Sequence, residues 1–219
     1  MKRISTIIKL AAMAAFTIAA SGDTQALQIS HATAVEPPDS RYFGAVSQSE
    51  NGDQVILRIE GVITSAVAHD FIDRLETRPA LRPTTIELDS PGGFTEAGYA
   101  VIESILYQRR RGRPIATVVH GNSGCKSMCV GIYMAGFPRY ADPNAQFMVH
   151  APRGEKTGLV GVRATREMID RLASLGVSPD WLKHVQRSGG FSGRVDFPQS
   201  ARELVGTGAN IVTGLLSGS

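Results

Sequence analysis

From about residue 65 onward the chain alternates stretches of helical hydrophobic spacing with short apolar runs closed by turn residues. Phe71, Ile72 and Leu75 share one face of a helix predicted over Ser65–Thr77, and Val101, Ile102, Ile105 and Leu106 do the same over Thr95–Arg110. The run from Pro114 to Gly121 is apolar and bounded by turn residues, the pattern of a buried strand, and Asn122-Ser123-Gly124 then breaks it. From Met128 to Ala135 every residue is small or apolar, which suits a helix packed on all sides. A further strand over Ala145–Val149 ends on His150, and helices are predicted at about Gly161–Ser174 and Pro179–Arg187. Strands alternating with helices give repeated β-α-β units and an α/β fold with a mainly parallel sheet. Leu27–Asp53 lacks sustained periodicity and reads as an extended N-terminal segment ahead of a single domain over residues 54–219, whose tail from Gly214 is expected to fray.

Three short stretches within this pattern carry chemistry. Asp89-Ser90-Pro91-Gly92-Gly93 is a strand ending in a glycine turn, which can aim backbone N–H groups at an oxyanion. Ser127 stands where Gly124-Cys125-Lys126 gives way to the apolar helix, near free N–H groups and the positive end of the helix dipole. Alone, it would be read as a helix cap. A serine hydroxyl needs a base within hydrogen-bond reach to act as a nucleophile, and His150 sits at the carboxyl edge of a strand, where α/β sheets gather their sites.

The order Ser90-Pro91-Gly92-Gly93, Ser127-Met128, Met148-Val149-His150-Ala151-Pro152 resembles the proteolytic subunit of the Clp protease and its relatives in the ClpP/crotonase superfamily. The likeness extends from about Gln54 to about Val212 and includes the opening strand Gln54–Gly61 and the run Asp196–Val205. It implies a ClpP/crotonase-like fold, with Ser127 as nucleophile, His150 as base, and the N–H groups of Gly93 and Met128 as the oxyanion hole. It also implies an acid four residues before the serine of a Ser-Ala pair, which here is Asp196. Asp170 and Asp180, the competing acids, read as a solvated helix face and a helix cap. The helices after residue 161 take the place of the family's handle, so the resemblance also implies a homo-oligomer, with Trp181, Leu182 and Val185 offering an apolar face. Around the serine the chain departs from Clp peptidases: the Cys-x-Ser-x-Cys spacing with Lys126 beside it looks like predicted periplasmic Clp-like proteins. A Ser127–Lys126 dyad is disfavoured, because neighbouring residues at a helix start point in different directions.

Charge and cysteine content refine this picture. The chain carries 23 basic and 20 acidic side chains. Met1-Lys2-Arg3 through Lys9 followed by Leu10–Ala20 has the charged start and short apolar run of a secretory signal peptide, with cleavage after Ala26 or Ala20. A cut after Ala26 removes Lys2, Arg3, Lys9 and Asp23 and leaves a nearly neutral domain, while an uncleaved anchor is the alternative. The basic cluster Arg109-Arg110-Arg111-Gly112-Arg113 ends a helix and lacks aromatic interleaving, so nucleic-acid binding is not expected. In an exported chain, Cys125 and Cys129 are candidates for a disulfide flanking Ser127, and two thiols without further ligands argue against a metal site.

The leading expectation is therefore an exported serine peptidase acting on peptides or unfolded segments. It needs no metal or nucleotide cofactor, and export puts a nucleotide-driven unfoldase out of reach. The alternatives are a scaffold that kept the fold without turnover and, less fitting, a crotonase-like acyl-CoA enzyme.

Overall fold

The computed structural model describes residues 43–77, 81–154 and 157–217, all within the unit that spans Pro37–Ser219. The signal-peptide reading and its cleavage sites lie outside the described residues. Strand β1 (Gly44–Asn51) runs antiparallel to β2 (Gln54–Gly61) across a two-residue turn, where Gly52 takes a positive φ of 57°. This hairpin falls partly in the stretch read as an extended lead-in. β1 buries only Val46 fully, so it lacks the alternation that marks a half-buried strand; the Asn51-Gly52 pair was the available hairpin signal.

From β2 the chain winds through α1 (Ser65–Glu76), β3 (Thr84–Asp89), α2 (Thr95–Arg110) and β4 (Ile115–Val119), and β2, β3 and β4 pair in parallel. Leu57 and Ile59 on β2 and Ile86 and Leu88 on β3 turn one sheet face to Phe71 and Leu75 of α1 and Val101, Ile102 and Ile105 of α2. The amphipathic spacing in the sequence is the cause: each helix has one apolar stripe, and the sheet face is the surface that buries it.

After β4 the chain forms β5 (Gly124–Lys126), α3 (Met128–Ala135), β6 (Arg139–Ala141) and β7 (Gln146–Val149). It then adds α4 (Val162–Ser174), α5 (Pro179–Arg187), β8 (Phe197–Ser200), α6 (Ala201–Gly206) and β9 (Gly214–Leu215). The main sheet has the order β1-β2-β3-β4-β6-β9, and a second, small sheet has the order β5-β7-β8. All eight residues of α3 are buried, as its uniformly apolar sequence requires. Of the tail expected to fray, Gly214 and Leu215 instead close one edge of the main sheet as β9, paired with β6.

Arg139 anchors that closure. It is 5 % exposed, and its guanidinium donates to the carbonyls of Ile211 (2.7 Å) and Asn210 (2.8 Å). Arg139→Leu strips both carbonyls of a charged donor and is expected to cost about 2–3 kcal/mol, measured as a lower urea midpoint, with loss of protection centred on residues 209–215.

The face of α5 expected to support self-association is used inside the chain. Trp181, Leu182 and Val185 are all buried, and Trp181 Nε1 donates to Gln199 at 2.9 Å. Sequence spacing shows that a helix face is apolar but not what covers it; here β8 does.

Candidate active site

Ser90 fixes the glycine turn. Its backbone N–H donates to Gly124 at 2.7 Å and its carbonyl accepts from Lys126 at 3.0 Å, which docks the end of β3 on β5. Its hydroxyl, 2 % exposed, donates to Gly61 at 2.6 Å and accepts from the Gly92 N–H at 3.0 Å. Gly92 has φ +101°, and a Cβ there would lie 2.7 Å from Ser127 Cβ and 2.8 Å from the Lys126 carbonyl. Only glycine lets the turn lie against the serine. At the next position, Ile63 N–H donates to Gly92 and Phe94 N–H donates to Ile63, each at 2.9 Å. In that parallel bridge the N–H of Gly93 points away from Ile63, to the opposite side of the chain. Gly92→Ala is expected to cost about 2 kcal/mol or more of stability and to displace the serine, which a thermal melt and a serine-directed probe would both register.

Ser127 occupies the N-cap position of α3 without capping it. Its φ of 54° and ψ of −122° are foreign to a cap residue, and its side chain makes no cap hydrogen bond. Its N–H donates to Met148 at 2.7 Å, seating the turn on β7. Met128 follows as the first helical residue, whose N–H an α-helix leaves without an intrahelical partner. Lys126 is exposed and folds back, with its Cε 3.5 Å from where a Gly124 Cβ would stand. It does not line the cavity beside Ser127.

The small sheet brings the three candidate side chains into one neighbourhood. β5 pairs in parallel with β7 up to Lys126↔Met148, and β7 pairs antiparallel with β8 up to Val149↔Phe197. One residue beyond each ladder end come Ser127, His150 and Asp196, and continuing the antiparallel register sets Asp196 opposite His150. Burial pushes the His150 imidazole below its ordinary value of 6.5; Asp196 raises it and Arg153 lowers it. Burial thus favours the neutral ring over the imidazolium. Asp196 is exposed and acts on the ring through space, with no ion pair within 4.0 Å between them among the described residues. Of the competing acids, Asp170 is exposed on α4 and Asp180 lies in the first turn of α5, 3.6 Å from Lys183. The cap of α5 is Ser178, whose side chain accepts from the Trp181 N–H.

Gly93, Ser127, Met128 and His150 line one cavity of about 150 Å³. Ile102, Gly131, Val149, Met168 and Leu172 supply its apolar walls, and Tyr99, with the Arg171 guanidinium 5.1 Å from its ring centre, also lines it. Such a space can take an apolar side chain while two backbone N–H groups and a hydroxyl surround the adjoining carbonyl. The walls from α4 were not anticipated. Met168 and Leu172 have the i, i+4 spacing of core residues, and sequence spacing cannot separate a core face from a cavity wall. Beneath the turn, Cys125 and Cys129 form a disulfide with Cα atoms 5.2 Å apart, and both residues are fully buried.

A sequence model described as Clp protease matches residues 48–175. The ATP-dependent Clp protease proteolytic subunit 1 of Chlamydia pneumoniae is 30 % identical over 93 residues, which is 41 % of this chain and 47 % of that protein. Subunit 2 of Treponema denticola is 26 % identical over 121 residues, 54 % of this chain and 56 % of that one. The chain thus spans about half the length of the curated relatives it matches. ClpP1 from Listeria monocytogenes has the same fold, with a TM-score of 0.59 at 23 % identity, over 75 % of this chain and 92 % of that structure.

Proposed function

Since the chain belongs to the Clp protease family, we propose that it is an exported serine peptidase that hydrolyses peptides or unfolded segments. Ser127 Oγ attacks the scissile carbonyl while His150 Nε2 takes its proton, and the N–H groups of Gly93 and Met128 bind the oxyanion. The protonated ring then gives its proton to the leaving amine, and water resolves the acyl-enzyme by the same route. Asp196 favours the imidazolium that forms in each step.

The observation that carries this reading is the shared cavity of Ser127, His150, Gly93 and Met128, with burial favouring the neutral base. The apolar walls support a substrate with an apolar side chain next to the cleaved bond. The buried disulfide supports an oxidising compartment, in keeping with export to the periplasm or beyond. Self-association rests on family membership, with an interface other than the covered face of α5; Leu159 and Val162, 71 % and 74 % exposed, are apolar side chains free in that region. Light scattering is expected to give a mass above that of one chain at micromolar concentration.

The exposed position of Asp196 favours a second reading, a scaffold without turnover. One comparison separates the two. The wild-type protein is expected to cleave an unfolded test protein and short peptides carrying leucine or methionine before the scissile bond, and Ser127→Ala is expected to cleave neither. Equal cleavage by both forms, or none by the wild type, contradicts the peptidase.

A further inference from the structure

Ser127 holds a backbone conformation that side-chain-bearing residues rarely adopt, and two residues away on either side the chain is cross-linked. Cys125 lies in β5, whose partner β7 leads into His150, and Cys129 lies in the first turn of α3, whose first N–H is that of Met128. The bond therefore joins the strand that enters the turn to the helix that leaves it. Hydrogen bonds hold the strand side of the turn, with Lys126 N–H on the Ser90 carbonyl at 3.0 Å and Ser127 N–H on Met148 at 2.7 Å, whereas on the helix side, among the described residues, Val130 N–H to the Ser127 carbonyl at 3.0 Å and the close approach of Gly92 restrain Ser127 itself.

We propose that the Cys125–Cys129 disulfide is a positioning element, which holds Ser127 and the Met128 N–H in reactive geometry, so that the protein gains activity only when the pair is oxidised during folding. The claim about reactivity rests on the peptidase reading; the claim about the turn does not.

A loop this short removes little entropy from the unfolded chain, so the bond adds little to global stability. Its effect falls on the turn, where a φ of 54° relaxes readily once the flanking residues are free to move apart. Both cysteines are fully buried, and α3 is buried along its whole length. An oxidant therefore reaches the thiols before α3 packs, and a reductant does not reach the bond afterwards. One cysteine thiolate attacks a disulfide of the oxidant, displacing one of its thiols and forming a mixed disulfide; the other thiolate then displaces the second. The protein loses two protons and two electrons, and the oxidant, a disulfide-bearing protein or small molecule, leaves as two thiols.

The test compares four preparations: the oxidised wild type, wild type refolded from the reduced state under reductant, Cys125→Ala/Cys129→Ala, and Cys125→Val/Cys129→Ala, which restores part of the lost volume. The readouts are fluorophosphonate labelling rate, kcat and KM on a peptide ester, and backbone hydrogen exchange. The three bridge-free forms are expected to stay folded and to label at least tenfold more slowly. Their kcat should fall with KM unchanged, and exchange should quicken over residues 124–131 and not in β2 or β3. A non-denaturing reductant should leave the oxidised form unchanged. Labelling and exchange equal to the oxidised form, or full recovery in the valine variant, overturns the proposal. If the oxidised wild type does not label, the peptidase reading fails, and unchanged exchange over 124–131 would then overturn the positioning claim separately.

Discussion

Replacing His150 with glutamine is expected to lower kcat by about 10⁴-fold or more, and the pH profiles of two neighbours should show why. The base must be unprotonated to take the Ser127 proton. Burial holds its pKa below the ordinary 6.5, so the acid limb of kcat/KM is expected below that value. Arg153 lowers the pKa and Asp196 raises it. Arg153→Ala is therefore expected to move the limb to higher pH, and Asp196→Asn to lower pH. Asp196→Asn should also lower kcat, because the imidazolium formed in each step loses its compensating charge. The same shift affects stability: below 6.5 the unfolded chain binds a proton that folded His150 refuses, so this group's contribution falls as pH drops through that window. A limb that stays put in both variants would show that His150 is not the titrating base.

Ser127→Gly separates reactivity from stability most sharply. A serine that capped α3 would cost about 1 kcal/mol on removal. Ser127 makes no cap bond and holds φ at 54°, so glycine relieves an unfavourable conformation, and the variant is expected to be more stable by about 1 kcal/mol. Its hydrolysis should nevertheless be lost entirely. A higher melting temperature with no turnover is the signature of a residue kept for chemistry at the expense of the fold. A destabilised but active variant contradicts it.

Helices with strong apolar periodicity were legible from sequence: Thr95–Arg110 and Pro179–Arg187 appear with the bounds their spacing implies, and the wholly apolar run after Ser127 is the wholly buried α3. Elements that depend on partners were harder to see. β5 has three residues and exists because β7 and the Ser90 turn pair with it, and β1 is polar because it is an edge strand. The candidate residues Ser127, His150 and Asp196 could be picked out as chemistry, whereas what brings them together depends on register. That Asp196 falls opposite His150 follows from the β7–β8 pairing, a non-local fact no local pattern encodes. The apolar stripe on α5 was visible and its covering by β8 was not, for the same reason.

A serine-directed reagent discriminates a Ser127 nucleophile activated in this cavity from an inert side chain. The most direct measurement is to treat the oxidised protein with a fluorophosphonate, digest it and locate the adduct by mass spectrometry. One phosphonyl group is expected, on the peptide containing Ser127, formed faster as His150 loses its proton and absent from Ser127→Ala. No adduct, or an adduct on another residue that persists in Ser127→Ala, would contradict it.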